Sequence, residues 1–304
     1  MKRLILTAVA AVFTLSACGG GSDPLSQATP TAAAPASSGG TTAASVTVGS
    51  FDFPESVLLA SIYAQALQAK GVTVTEKPNI GSREIVYDQI KSGGLTILPE
   101  YIGSLLAFVD SSATAKSTTD VVTALGTALP PELQVLAPSA AQDNNSLTVS
   151  KETATKDNLK TIEDLAKVSK DYIVGGPPEF KDRQEANFKT VYGLEFKQWE
   201  PTGATTAEAI KSGTIQVGNV FTTEPKIILY DLVSLEDNKS AFAAENVTPL
   251  VFKAGVDDTV KSTLDAISAK LTTQGLLDMM KKITVDKDDP PAVAKDWLTQ
   301  NGLL

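Results

Sequence analysis

From residue 45 onward the chain switches between two hydrophobic periods. Ser45-Val46-Thr47-Val48-Gly49-Ser50 alternates polar and apolar positions, as a half-buried strand does. Pro54-Glu55-Ser56 then opens a run with Val57, Leu58, Ile62, Ala66 and Leu67 at helical spacing. Pro54 suits the first turn, Glu55 the positive end of the helix dipole, and Gly71 the position just past the last turn. Val72–Lys77 reads as a second strand, Ser82–Lys91 as a helix and Leu95–Leu98 as a third strand. Strands alternating with helices predict an α/β fold with mixed, mostly parallel sheets.

The same grammar returns later in the chain. Ile90-Lys91-Ser92-Gly93 precedes a strand and then Pro99-Glu100-Tyr101, while Ile210-Lys211-Ser212-Gly213 precedes the strand Ile215–Val220 and then Phe221-Thr222-Thr223-Glu224. A glycine stands upstream of each copy, Gly81 and Gly203. Two similar lobes follow from this repeat, each ending a strand at a shared cleft, because open α/β sheets bind ligands beyond the carboxyl ends of their strands. Leu133–Ala137 and Ser146–Ser150 flank the polar stretch Gln142-Asp143-Asn144-Asn145, which reads as a crossover between lobes, with a return near Glu245–Val251. Three helices are expected at the end: Thr259–Thr273, Gln274–Ile283 and Pro290–Gln300. The resulting boundaries are 45–142 with 248–304 for lobe one, and 143–247 for lobe two.

The beginning of the chain has another character. Lys2-Arg3 is followed by the apolar run Leu4–Phe13 and by Leu15-Ser16-Ala17-Cys18. This pattern is that of a secretory signal over 1–17, and it resembles a bacterial lipobox, in which the cysteine is lipidated and becomes the new N-terminus. The run is shorter than the ~20 apolar residues of a spanning helix. Residues 18–44 are dominated by Ser, Thr, Ala, Pro and Gly, the composition of a flexible tether. The expected address is therefore extracytoplasmic, on a membrane lipid anchor at Cys18.

Composition narrows the chemistry. Cys18 is the one cysteine and there is no histidine, which excludes an intrachain disulfide, a CxxC redox pair, a Ser-His-Asp triad and an imidazole metal site. Of the possible carboxylate pairs for an enzyme, Glu100 and Glu224 occupy the ends of the two repeated units, but a binder is the favoured class. The acidic run Asp286–Asp289 lacks the spacing of a calcium loop and reads as the start of a helix. With 26 Lys and Arg against 35 Asp and Glu, the surface repels nucleic acid and anionic lipid. No cofactor and no metal are expected.

Val48-Gly49-Ser50 with Phe53, Asn79-Ile80-Gly81-Ser82, Pro99-Glu100-Tyr101-Ile102-Gly103-Ser104, Asn144-Asn145-Ser146, Phe180 with Arg183, and the ending Ala294–Leu298 with Asn301–Leu304 form one set. Together these stretches resemble the substrate-binding proteins of ABC importers for osmoprotectants such as glycine betaine, choline and carnitine. The resemblance spans about Val46–Leu304 and implies a two-lobed periplasmic-binding-protein fold of type II, with the ligand cleft between the lobes. It implies capture of a small solute by a monomer that delivers it to an ABC permease. It also implies an aromatic cage around a quaternary ammonium. Tyr101 stands at a cage position, Ser104 where a ligand-contacting threonine is common, and Arg183 at the place of a basic residue of the second lobe. Asn145 lies at the crossover, and Phe221 holds a tyrosine-like place. Three positions depart from the pattern: Leu147 replaces a crossover aromatic, Glu245 a cage residue, and Phe51 a frequent lysine. Glu245 could then serve as counter-ion to a cation, or the pocket could suit another aromatic or cationic solute. A non-transport envelope sensor on the same fold is a further alternative.

Overall fold

The computed structural model describes residues 45–304. The signal segment, Cys18 and the tether lie outside the described residues. Among the described residues, no helix is long and apolar enough to cross a membrane.

Among the described residues, ten strands form two five-stranded sheets. The first sheet contains β1 (Ser45–Gly49), β2 (Thr73–Lys77), β3 (Ile97–Tyr101), β4 (Leu133–Val135) and β10 (Val247–Phe252), in the order β2-β1-β3-β10-β4. The second contains β5 (Asn145–Ser150), β6 (Ile173–Gly176), β7 (Gln198–Pro201), β8 (Val217–Phe221) and β9 (Leu232–Ser234), in the order β7-β6-β8-β5-β9. In each sheet three strands run parallel and the fourth is antiparallel to the third. The two sheets therefore share one topology, which is the structural content of the sequence repeat.

The repeat holds at atomic detail. Gly93 and Gly213 both end a helix at positive φ (77° and 75°), where a side chain would be strained. Their N–H groups donate to Ile90 and Ile210, and the Ser92 and Ser212 hydroxyls to the Gln89 and Ala209 carbonyls. Counted from these glycines, Tyr101 matches Phe221 and Glu100 matches Val220. The expected pairing of Glu100 with Glu224 is thus corrected: Glu224 lies beyond the strand, in the turn that follows it.

The first sheet is covered on both faces. One face packs on the helices Pro54–Ala69, Asp258–Ser268, Thr273–Lys281 and Pro290–Gln300, and the other on Arg83–Lys91, Ile102–Val109 and Thr118–Ala128. The helix Pro54–Ala69 lies between the sheet and Pro290–Gln300, so Leu58, Leu59, Ile62, Tyr63 and Leu67 are all buried, and its pattern is apolar on most sides. The helix expected over Thr259–Thr273 stops at Ser268, because the Thr272 hydroxyl accepts from Gly275 N at 3.1 Å and starts the next helix. Asp257 caps its own helix through Val260 N at 2.9 Å.

Leu147, Val149, Phe188 and Phe242 belong to the core of the second sheet, whereas Ala244 packs with the first. The return segment crosses between Ala243 and Asn246: Asn144 Nδ2 donates to the Ala243 carbonyl at 2.9 Å and Glu245 N to Gln142 Oε1 at 3.2 Å. Val247 is already in β10.

Candidate functional site

The carboxyl ends of β1 and β3, joined by the start of β10, meet the carboxyl ends of β6 and β8 at the two crossovers. Three helices begin at this rim of the first sheet, at Pro54, Arg83 and Ile102. Their N-terminal N–H groups and positive dipole ends call for anionic partners. The chain supplies these from within, as three buried or half-buried glutamates.

Glu55, in the first turn of its helix, is buried and accepts a hydrogen bond from the Tyr101 hydroxyl at 2.6 Å. Burial, with the Asp143 charge behind it, pushes the Glu55 carboxyl up to about 8. Glu100, with 0% of its surface exposed, receives a bidentate pair from Arg83: Nε to Oε1 at 3.1 Å and Nη2 to Oε2 at 2.9 Å. Burial still raises the Glu100 carboxyl, because desolvation outweighs the attraction of the guanidinium. Glu245 accepts from Ser104 N at 2.9 Å and from Ser104 Oγ at 2.7 Å, satisfying a free N–H in the first turn of Ile102–Val109. Gly103 makes this approach possible, since a Cβ there would lie 2.6 Å from the Ala244 carbonyl oxygen.

Aromatic faces gather beside these acids. Phe51 and Phe53 stack with ring centroids 5.7 Å apart and planes 7° from parallel, and Tyr101 follows at 6.1 Å from Phe53. The Arg83 guanidinium lies over Phe51, 5.3 Å from its centroid. Phe51 and Tyr101 are buried, whereas Phe53 is 37% exposed. From the second sheet Phe221 stands 51% exposed, paired across the ladder with Asn145, whose Oδ1 accepts from Asn219 Nδ2 at 3.0 Å. Phe221, Asn219, Pro177, Gly203 and Thr206 line a hollow of about 230 Å³ on that side.

The sequence-predicted residues thus divide. Phe51, Tyr101, Ser104 and Glu245 come together on the first sheet, and Asn145 and Phe221 stand at the rim of the second. Leu147 is not at the rim: it points into the core of the second sheet with no exposed surface, since alternation along β5 places it on the same buried side as Val149. Arg183 is directed outward, its side chain 72% exposed and paired with Glu179 at 3.8 Å, one turn away on the same helix. Glu245 is no free counter-ion, being bound through both oxygens to Ser104.

Five residues were missed. Arg83 follows directly on the Asn79–Ser82 loop, and a basic residue opening a helix after a strand–loop unit was a usable signal. Phe53 was noted only as part of a motif, and Glu55 only as a dipole partner. Asp143 was read only as part of the crossover and Thr223 only as part of the repeat, and the structure adds that the Thr223 hydroxyl donates to Asp143 Oδ1 at 2.6 Å.

A second hollow, of about 490 Å³, runs along β5, β9 and the return segment. It is lined by Lys116, Asn144, Ser146, Thr222, Ser234 and Phe242 among others, and touches none of Phe51, Phe53 and Tyr101. Its lining mixes hydroxyl and amide groups with the carboxyl groups of Glu236 and Asp237 and a single aromatic ring, Phe242. Among the described residues no group of three acidic or cysteine side chains is placed to hold a metal ion.

With this geometry in hand, the relatives are informative. Residues 44–300 match the family described as the substrate binding domain of ABC-type glycine betaine transport system. The chain is 26% identical over 279 residues to the glycine betaine-binding protein YehZ of Escherichia coli K12, covering 86% of this chain and 92% of that one. It is 26% identical over 280 residues to the glycine-betaine-binding protein of Pseudomonas aeruginosa PAO1, covering 84% and 88%. Among solved structures it superposes on apo YehZ with a TM-score of 0.77 at 25% identity, over 86% of this chain and 100% of the other. It also superposes on a glycine betaine/carnitine/choline ABC transporter structure with a TM-score of 0.78 at 21% identity, over 85% and 99%. These relatives are substrate-binding transport proteins rather than enzymes, and their solved folds are two-lobed. The chain belongs to the family of substrate-binding domains of ABC-type glycine betaine transport systems.

Proposed function

We propose that this protein captures a small solute bearing a quaternary ammonium, of the glycine betaine, choline or carnitine type, between its two sheets and delivers it to an ABC permease. The observation that carries this reading is the stacked Phe51, Phe53 and Tyr101 group beside three carboxyl groups and one arginine. A quaternary ammonium has no N–H to donate, so it is held by aromatic faces, at about 2 kcal/mol per desolvated contact. Phe53 and Phe221 offer accessible faces from the two sides, and closure about the crossovers brings them onto one ligand.

A cationic solute is favoured over a zwitterionic one, because Arg83, the natural partner for a ligand carboxylate, is already held by Glu100. Choline is therefore expected to raise the melting temperature more than glycine betaine does, in a panel that also holds carnitine, proline betaine and neutral aromatic solutes. A panel in which no quaternary amine stabilises the protein overturns the reading. A second reading, a different cationic or aromatic solute, is favoured by the partial burial of the cage. It gains support from a relative named as an ergothioneine transport permease and binding protein of Helicobacter pylori, 28% identical over 163 residues, 52% of this chain and 30% of that one. A neutral aromatic that stabilises where quaternary amines do not selects it.

Lipidation at Cys18 is part of the same proposal, holding a monomeric binder on the outer side of the membrane beside its permease. Cys18→Ala is expected to release the protein from the membrane fraction into the soluble extracytoplasmic fraction, read by fractionation. Retention of the variant at the wild-type level would reject the anchor.

A further inference from the structure

The three glutamates of the rim differ in what answers their charge. Glu100 has the Arg83 guanidinium on both of its oxygens. Glu245 is bound through both oxygens to Ser104 and lies in the field of the same guanidinium. Glu55 has no such cation. It is 4% exposed, its Oε1 accepts from the Tyr101 hydroxyl at 2.6 Å, and among the described residues no lysine or arginine pairs with it.

A buried carboxyl that has a neutral donor and no cation keeps its proton, because burial weighs on the charged form. The titratable groups facing Glu55 are Tyr101 from β3 and Asp143 from the crossover, and neither carries positive charge. Burial, and behind it the Asp143 charge, raises Glu55 to about 8. Burial and the Glu55 charge hold the Tyr101 phenol well above its ordinary 10.0, so it stays a donor throughout. The positive end of the helix Pro54–Ala69 acts in the opposite sense on Glu55 in its first turn, and favours the carboxylate once a cation arrives. The aromatic rings set where that cation goes. Tyr101 and Phe53 have centroids 6.1 Å apart, and a quaternary ammonium on either ring sits within ~6 Å of its centroid, on the side chain whose hydroxyl touches Glu55 or on its neighbour.

We propose that Glu55 is the charge partner of the solute and gives up its proton as the quaternary ammonium enters, so that capture exchanges a cation for a proton. This rests on the reading of the rim as the solute site. The O–H bond of Glu55 breaks, its electron pair stays on the carboxylate, and the proton passes to solvent. The carboxylate still accepts from the Tyr101 hydroxyl and now faces the positive charge of the solute. The net charge of the site is the same before and after. A neutral solute brings nothing to balance the carboxylate, and is bound without releasing a proton.

Coulomb's law sets the size of the effect. A unit charge ~7 Å away, at an effective dielectric constant of ~20, loosens the hold of the carboxyl on its proton roughly 50-fold. Starting from about 8, the loosened group releases about 0.7 proton per cation bound at about pH 7. The solute-bound state holds the proton less tightly than the empty one, so by linkage affinity climbs with pH and levels off above about 8. From about pH 6 to about pH 9 the gain is about 30-fold.

Calorimetric titration of the detergent-solubilised full chain with choline, in phosphate and in HEPES at about pH 7, counts the protons, because the two buffers differ in ionisation enthalpy. The parent is expected to release about 0.7 proton per choline bound. Glu55→Gln keeps a carbonyl for the Tyr101 hydroxyl but has no proton to lose. It is expected to release none, and its affinity for choline is expected to stay level between about pH 6 and about pH 9. Circular dichroism establishes that the variant is folded, and the proton count of the parent stands without it. Choline bound by the parent with no proton released overturns the exchange while leaving the solute reading in place, as does a release that persists in Glu55→Gln. Choline bound at no pH overturns the choline reading itself, and the exchange with it.

Discussion

Tyr101→Ala is expected to weaken solute binding by about 30-fold or more, the equivalent of one desolvated cation–π contact of about 2 kcal/mol. The ring stands next in line to the Phe51–Phe53 stack, so its removal opens one wall of the cage. The same substitution takes the hydroxyl away from Glu55, which sits buried with that hydroxyl 2.6 Å away. The two losses are separable. Tyr101→Phe keeps the aromatic face and removes only the donor, so calorimetric titration with choline should find near-parental affinity at about pH 6. Its stability, read by urea unfolding, should fall by about 1–3 kcal/mol, the cost of a buried polar group left without its partner. Parental affinity in Tyr101→Ala would remove this residue from the site.

Arg83→Ala is the substitution expected to cost the most stability. Glu100 has no exposed surface, and Arg83 supplies two of its three hydrogen bonds and the one positive charge, the third bond coming from Tyr101 N at 3.1 Å. Taking one partner from a buried pair leaves the other charge uncompensated, at about 3–5 kcal/mol. The variant should also carry a distinctive pH dependence. In the parent, burial already raises the Glu100 carboxyl above its ordinary 4.5, so the folded state holds that proton more tightly than the unfolded chain does. Stability contributed in this way is present at low pH and is lost as pH climbs from 4.5 through the folded value. Without Arg83 the folded value rises further, and the loss extends to higher pH. Denaturant midpoints of parent and variant should therefore converge in acid and diverge toward neutrality. A constant gap would mean that Arg83 acts by packing on Phe51 and not through its charge.

The legible parts of this molecule were those with a local cause. Alternation in Ser45–Ser50, the Pro54 start and Gly71 stop, and the paired Ser-Gly endings at Gly93 and Gly213 each prescribe a backbone shape from a few neighbouring residues. They were enough to reach two similar sheets. The repeat and the family motif were enough to place Tyr101 and Phe221 at matching strand ends. Leu147 failed because one step along a strand reverses the face, and a motif match does not fix that step. Arg183 failed because a basic residue in the first turn of a helix satisfies its nearest acid, here Glu179, without entering the cleft. Glu55, Asp143 and Thr223 were illegible for a different reason. They stand at positions 55, 143 and 223, and only the folded chain sets the Tyr101 hydroxyl on Glu55 and the Thr223 hydroxyl on Asp143.

The direction of β1 has a mechanical consequence. The strand enters at Ser45 and leaves at Gly49 toward Phe51, so residue 45 lies at the foot of the first sheet, and the solute rim lies at the opposite end. β1 is an inner strand, parallel to β2 through five residue pairs, from Ser45 opposite Thr73 to Gly49 opposite Lys77, and bordered by β3 on its other side. A pull entering through the N-terminal side runs along the strand axis and across all of these pairings at once. The ladder is therefore loaded in shear, and its bonds must yield together where a peeled edge strand would lose them singly. Tension on that end of the chain is borne by the stiffest direction of the sheet, at the end opposite the rim proposed to hold the solute.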